Sequence, residues 1–360
     1  IDKSWDFRLK GDATLNKASV GYFVEVKQSE GKVNYIATLD GGKQGITAKD
    51  IAGRDVPGFD QLKLDKVTVT NDNLVADLEF AKVKGEIAAF HPGGFDKAVL
   101  AVSLEKLGFG DLVPLPQATP LDGVSVDKLT MMVVPDGKTL KPSDEAIPQV
   151  ISDNIGKVLS DLSKSEPGRD TKPIDAGITM MAELDIKGAG GVETLMASAG
   201  VGETILPVAG TMSSHLFDMK ADPKLKLKGV SLSMALPKVS IPGLPSSIKI
   251  TKPVFNISDI VPPSISKLDL PALPEVGPYT TIGLDLAMKA LGKTHQFDAL
   301  MLIGKDISNK MVVDLVGRAV DPNGFFDFKG LQATTLDLAS VYIDKSWDFR
   351  LKGDATLNKA

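Results

Sequence analysis

The chain has 360 residues, of which 43% are hydrophobic and 24% are charged, so it is too apolar for a disordered protein and typical of a globular one. Its net charge of −5 at pH 7 provides no basic excess to contact phosphates, which excludes nucleic acid from the predicted partners. The absence of cysteine excludes disulfides, zinc-thiolate sites and a cysteine nucleophile, and no apolar run reaches the roughly 20 residues of a membrane-spanning helix.

The first segment, residues 1–18, recurs letter for letter as residues 343–360. An identity of this length does not arise by chance. We therefore predict that the sequence is a window on a longer chain of identical units with a period of 342 residues, in which 343–360 begins the next unit. The alternative is that the second copy is an artificial overlap, which the mass of the intact native chain would reveal.

The repeated segment alternates between apolar and charged residues, which is the pattern of a half-buried β-strand. Its apolar positions are Trp5, Phe7 and Leu9, which recur as Trp347, Phe349 and Leu351. Because this apolar face needs partners at both ends of the sequence, we predict that these six residues form the junction between successive units. The second copy carries a charge of +1, so one period carries −6, and an array of periods would accumulate negative charge.

Similar alternation recurs through much of the chain, together with 34 glycines and 22 prolines, as in proteins built from short strands and turns. We predict β-rich modules over residues 1–140, 175–236 and 279–342. The predicted fold class is mainly β, with multi-stranded antiparallel sheets arranged as a sandwich, a barrel or a solenoid-like array.

One segment, residues 142–168, departs from the β pattern because its apolar residues recur at spacings of three and four. These residues are Ile147, Val150, Ile151, Ile155, Val158, Leu159 and Leu162. The spacing predicts an amphipathic helix, one per unit, that plugs the open end of a sheet or barrel. A helix lying on a membrane surface is the less favoured alternative, because the polar face is mixed rather than basic.

Residues 237–278 are rich in proline and also in large apolar side chains. Proline has no N–H to donate to a β-ladder, so we predict no central strand in this segment. The predicted conformation is an extended segment that covers a sheet edge with its apolar side chains.

Two loops carry oxygen ligands of the kind that calcium prefers. The first contains Asp321, Asn323 and Asp327, and the second is Asn71–Asn73. Both also match ordinary turns, in which Asn, Asp and Gly adopt the required backbone angles. Calcium is therefore a candidate ligand, and no other cofactor is predicted.

Catalytic motifs are lacking in the sequence. His91, His215 and His295 lie far apart, and none has a second ligand at metal-binding spacing. We find no nucleophile elbow, HExxH motif or phosphate-binding loop. The prediction is a protein that is not an enzyme, and an active site assembled in space from scattered carboxylates stays an alternative.

Residues 33–80 resemble very large, uncharacterised β-repeat proteins of bacteria and fungi. The resemblance rests on a strand with an aromatic-x-Ala step, Tyr35–Ala37, followed by a turn and then by Pro57 and the Leu62-x-Leu64 strand. Extended over about 150 residues as a pattern, it implies a long β-rich array and no known chemistry.

These observations together predict a repeat unit of a long covalent fibre, sheath or adhesin-like protein, extracellular or on the cell surface. Its partners would be neighbouring copies of the same repeat, in cis and laterally. The alternative is a conduit for lipids or other hydrophobic ligands, formed by one-sided sheets and lined by adaptable methionines. The candidate lining residues are Met131, Met132, Met180, Met181 and Met219.

Overall fold

The structure is a computed structural model. It describes residues 4–16, 18–47, 49–50, 62–80, 83–90, 98–112, 121, 123–144, 147–212, 231–236, 239–241, 248–258, 279–290, 293–305, 311–320, 327–328, 331–343 and 346–357. Side chains are described for fewer residues, and none are described from residue 327 onward.

The described part of the chain contains nineteen strands. They are β1 (Trp5–Leu15), β2 (Ala18–Ser29), β3 (Lys32–Asp40), β4 (Ile46–Thr47), β5 (Leu62–Thr70), β6 (Asn73–Phe80), β7 (Val83–Phe90), β8 (Val99–Gly108), β9 (Ser125–Val134), β10 (Gly177–Asp185), β11 (Ile205–Met212), β12 (Ser231–Ala235), β13 (Ile248–Ser258), β14 (Tyr279–Ala290), β15 (Lys293–Lys305), β16 (Met311–Val320), β17 (Asp327–Phe328), β18 (Leu331–Ile343) and β19 (Ser346–Leu357). The helices are α1 (Phe109–Leu112, one turn), α2 (Gln149–Ser163) and α3 (Gly190–Ser198), with a 3₁₀ turn at Gly42–Gln44.

All the strands belong to one antiparallel sheet in which each long strand pairs with the next along the chain. The two-residue strand β4 pairs with β5, which also pairs with β3. The two-residue strand β17 pairs with β18, which also pairs with β16. The sheet is not closed, because among the described residues β1 pairs only with β2 and β19 only with β18. The predicted mainly β, antiparallel class is confirmed. The described strands form one sheet that does not close into a barrel, and the sandwich or solenoid-like arrangement and the tandem repetition stay predictions.

Tight hairpins at the N-terminal end of the sheet explain its sequential order. Only two residues separate the paired residues Leu15 and Ala18, and Asn16 has a φ of +45°. In the next hairpin Glu30 and Gly31 have φ values of +53° and +77°. Positive φ at these positions matches the right-handed twist of the flanking strands, so each strand returns beside its predecessor.

The main hydrophobic core lies in the middle of the sheet, from β6 to β16, and includes α2 and α3. Helix α2 packs on β8, β9, β10 and β11, whereas α3 packs on β15 and β16. The core face of α2 consists of Ile151, Ile155, Val158, Leu159 and Leu162, all buried as the apolar spacing predicts. A smaller cluster, built around Val20, Ile46, Val67 and Ala76, lies under β2–β7.

Helix α2 is also held by polar contacts with the sheet. Asn154 donates a hydrogen bond from Nδ2 to the Ser103 hydroxyl of β8 (2.7 Å) and accepts one from Lys128 Nζ of β9 (3.2 Å). One turn further on, Lys157 forms an ion pair with the buried Glu183 of β10. These contacts satisfy polar groups at the helix–sheet interface that would otherwise be costly to bury.

The helices differ from the prediction in extent and number. Helix α2 is shorter than the predicted 142–168, because Pro148 occupies the N-cap and Lys164 the C-cap. Helix α3 lies in the segment 175–236, which we predict to be only β, so the prediction of one helix per unit is wrong. Its nine residues, which begin with Gly190 and Gly191, are too few to show a repeat of three and four.

The proline-rich segment also differs from the prediction. Strand β13 lies within 237–278 and pairs with β12 on one side and β14 on the other, so it is a central strand. Pro253 is accommodated because the register with β14 shifts between Thr251 and Val254, and a bulge is a position where a strand tolerates a missing N–H.

Candidate inter-unit interface

The strongest candidate for a functional site is the edge strand β1. Its apolar side chains remain about half exposed, at 47% for Trp5, 51% for Phe7 and 46% for Leu9. Phe7 and Leu9 lie opposite Val26 and Val24 of β2, so the apolar face is covered on one side by a neighbour and on the other by nothing in the described structure. A long apolar edge strand of this kind is a template for further pairing.

The opposite face of β1 carries a small network of charges. Arg8 contacts Glu25 of β2 at 2.6 Å and Asp6 at 3.1 Å, and Lys27 contacts Glu25 at 2.8 Å. The hydrogen bond from Lys27, with that from Arg8, lowers the pKa of Glu25, and the hydrogen bond to Glu25 raises the pKa of Arg8. Because the network faces solvent, it contributes little to stability and serves chiefly to favour this register.

The second copy of the segment forms the other edge of the sheet. Strand β19 pairs with β18, with Trp347 opposite Tyr342, Phe349 opposite Ser340 and Leu351 opposite Leu338. The structure therefore places the predicted junction residues at the two edges of one sheet, Trp5, Phe7 and Leu9 at the first and Trp347, Phe349 and Leu351 at the last. It does not bring the two sets together.

Both edge strands are long and lack proline, although each carries charged side chains and the β18–β19 register is irregular between Ala333 and Thr335. No proline occurs in β1, β2, β18 or β19, and the described part of β1 contains no bulge against β2. Natural edge strands are commonly shortened, bulged or interrupted by proline. Within the described structure both edges therefore present unpaired backbone groups, along eleven residues of β1 and twelve of β19.

The calcium candidates receive no structural support. Asp321 and Asn323 lie outside the described residues, and only the backbone of Asp327, at the start of β17, is described. In the second loop the Asn71 side chain accepts a hydrogen bond from the Tyr35 N–H (2.8 Å) and donates one to the Val33 carbonyl (2.8 Å). Within the described ranges no group of three or more His, Cys, Asp or Glu residues is arranged to hold a metal ion.

The methionines that are candidates for the lining of a conduit are mostly packed in the core. Met132, Met180 and Met181 are buried in the main cluster, and Met131 is partly buried against it. Met219 lies outside the described residues. Among the histidines, His91 and His215 also lie outside them, and His295 pairs with Met288 in the β14–β15 ladder.

A cavity of about 320 Å³ between the sheet and α2 has an acidic lining. Its carboxylates come from Asp65, Asp77, Glu86 and Glu105, and Asn154 lines it from the helix. Desolvation raises the pKa of Glu86, with further contributions from the charges of Asp77 and Glu105. The Glu86 Oε2 atom is buried without a hydrogen bond, although Lys84 also lines the cavity and adds one cation to the four carboxylates.

Asp314 is a buried acid that the sequence analysis missed. It is 1% exposed on β16, neither carboxylate oxygen has a hydrogen-bond partner, and burial raises its pKa to about 6. The signal in the sequence was a single charge within the apolar run Met311–Val316. A solvent-facing position explained it equally well, because alternation alone does not show that both faces of a strand are covered.

Comparison of the chain with protein-family models, with curated proteins and with solved structures finds no match in any of the three. The resemblance of residues 33–80 to giant β-repeat proteins therefore remains one of sequence pattern. In the part of the chain that the structure describes, no helix combines the length and apolar character needed to cross a membrane.

Proposed function

We propose that this chain is the structural unit of a long covalent array, an extracellular fibre, sheath or adhesin-like stalk in which units are joined strand to strand. One observation carries the proposal: an open, sequential antiparallel sheet has the same amino-acid sequence in its first and last strands. A unit that ends on the strand with which it begins can be followed by another unit without any new element.

The architecture suits an extended object. Because each long strand contacts chiefly its neighbours along the chain, additional units lengthen the sheet without rearranging the existing core. Strands in a sheet lie about 4.8 Å apart, so the sixteen rows from β1 to β18 span at most about 80 Å in the direction of the backbone hydrogen bonds. The absence of cysteine supports the surface location, since a thiol in every copy would cross-link an array exposed to oxidant.

The length of tandem polypeptides tests the proposal. Polypeptides of one, two and four periods are compared by small-angle scattering and electron microscopy. We expect the maximum dimension to increase by a constant amount, at most about 80 Å, with each added period. A four-period polypeptide that is compact, with a maximum dimension scaling as the cube root of its mass, would contradict the proposed function.

A further inference from the structure

We propose that residues 1–18 and 343–360 are two copies of one shared strand, which pairs at the same time with β18 of one unit and with β2 of a second copy of the chain. The sheet would then continue through the junction without a break. This inference deepens the proposed function by naming the partner surface of each edge, and it rests on that function only for the covalent link between units.

The first requirement for sharing is that the two copies run in the same direction relative to the sheet. Sixteen successive antiparallel pairings connect β1 to β19 through the long strands. Each pairing reverses the strand direction, and an even number of reversals restores it. Strand β19 therefore runs as β1 does and would lie antiparallel to β2 if it took the place of β1.

The second requirement is that the two copies present the same side chains to the same face. Directly opposed residues of neighbouring strands lie on one face, so a face can be followed through the register. Starting at Gly11 of β1, directly opposed residues lead through Met180 of β10 to Ile257 of β13. Phe255 lies two residues from Ile257 on the same face of β13, and from Phe255 the opposed residues lead to Phe349 of β19. Gly11 and Phe7 share a face of β1, and Phe349 corresponds to Phe7, so the apolar face is the same at both edges.

The third requirement is that the two copies use opposite backbone edges. Residues that flank a two-residue hairpin loop form a hydrogen-bonded pair, and such pairs alternate along the ladder. Leu15 pairs with Ala18 across such a loop, so the odd-numbered residues of β1 bond to β2. Ile343 pairs with Ser346 across another, so the even-numbered residues of β19, up to Lys352, bond to β18. One strand of this sequence can therefore satisfy both neighbours without competition.

The charges of the strand are also divided between the two neighbours. Arg8 has its partner, Glu25, on the β2 side. Lys10 lies opposite the apolar Phe23 on that side, whereas Lys352, the same position in the second copy, lies opposite Asp337 of β18. A shared strand would place each of these cations opposite an acid, one on each side, which favours the junction over either edge alone.

Disulfide trapping between full-length chains tests the inference, because the chain has no cysteine of its own. One chain carries Lys27→Cys together with Phe7→Pro, which removes an odd-numbered N–H and weakens the hold of β1 on β2. The second chain carries Asp348→Cys. Asp6 lies opposite Lys27 in the β1–β2 register, so Asp348 of an incoming β19 would do so as well. In this non-hydrogen-bonded pair the Cα atoms are about 4.5 Å apart, within disulfide range.

We expect a disulfide-linked dimer from this mixture and a loss of at least about tenfold in its yield when Phe349→Cys replaces Asp348→Cys, because residue 349 faces the other side of the sheet. Adding Phe349→Pro to the Asp348→Cys chain should also abolish the dimer, whereas that chain should keep its own β18–β19 pairing, which uses even-numbered residues. The same mixture without Phe7→Pro is measured in parallel, and slower cross-linking with the same dependence on position is expected.

Equal cross-linking at positions 348 and 349 would overturn the inference, as would its persistence after Phe349→Pro. A monomer with an internal disulfide, formed by a chain that carries both Lys27→Cys and Asp348→Cys, would show that β19 returns to its own β2 and would exclude a second copy as the partner. The outcome is separable from that of the proposed function. Register-specific cross-linking together with a compact four-period polypeptide would support strand sharing and contradict the proposed fibre.

Discussion

Replacement of Gly210 by alanine is expected to lower the free energy of unfolding by about 3 kcal/mol or more, above the usual cost of overpacking a core. A Cβ at Gly210 on β11 would overlap the Ser231 carbonyl oxygen and lie 2.9 Å from the Leu232 Cα, both in β12. These are backbone atoms, so relief requires the two strands to separate. Among the described residues β11 and β12 pair at only three positions, so separation of the strands would disrupt most of their pairing.

Gly283 provides the matched control for this prediction. It also lies inside a strand, β14, but a Cβ there would have its nearest neighbours at 3.7 and 3.8 Å, ordinary contact distances. Gly283→Ala should leave stability unchanged or raise it by about 0.4–1 kcal/mol, because alanine reduces the entropy of the unfolded chain. Urea unfolding of the two variants beside the parent chain measures both effects. A Gly210→Ala variant as stable as Gly283→Ala would disprove the close approach of β11 and β12.

The second large effect concerns Asp314, whose replacement by asparagine should stabilise the protein at neutral pH and not at pH 4. Burial raises the folded-state pKa of Asp314 from 3.8 to about 6. The folded chain therefore binds more protons than the unfolded chain between these values, and stability from this group falls as pH rises through that window. Two pKa units correspond to a loss of about 3 kcal/mol above pH 6. Below pH 4 the loss is absent, because the carboxyl is neutral in both states.

Comparison of the two pH values isolates the charge of Asp314 from the polarity of its replacement, since asparagine is equally polar at both. We expect the stability difference between Asp314→Asn and the parent to be larger at pH 7.5 than at pH 4 by about 3 kcal/mol. Asp298→Asn on the neighbouring strand is the control, because Asp298 is exposed. A difference for Asp314→Asn that does not change with pH would show that this carboxylate reaches solvent or a partner.

Local alternation predicted β1 well, because one face of that strand is apolar and the other is charged, as Trp5, Phe7 and Arg8 show. It also predicted α2, whose apolar stripe is long enough to reveal its period. Alternation could not place Asp314, since β16 is buried on both faces at this point, where Val313, Leu315 and Val316 are buried as well, and one charge leaves no periodic trace. Nor could it show that the duplicated segment supplies both edges of a single sheet.

Other failures have equally local causes. Proline as a strand breaker is a sound rule for regular ladders, but the bulge beside Pro253 removes the need for a donor, and a bulge has no reliable signature in one sequence. The two glycines that open α3 conceal a helix that tertiary packing stabilises. The contacts between Asn154, Ser103 and Lys128 join residues far apart in the chain, and their sequence spacing gives no hint of them.

In the proposed junction one strand serves two units, and amide hydrogen exchange tests this sharing most directly. In the 360-residue chain, the amides of Asp348 and Arg350 should be protected by β18, whereas those of Phe349 and Leu351 point to the free edge and should exchange rapidly. In a polypeptide of two periods the second unit supplies β2 beside this strand, and we expect the amides of Phe349 and Leu351 to become protected as well. Exchange at these two residues that is as fast in two periods as in one would contradict the shared strand.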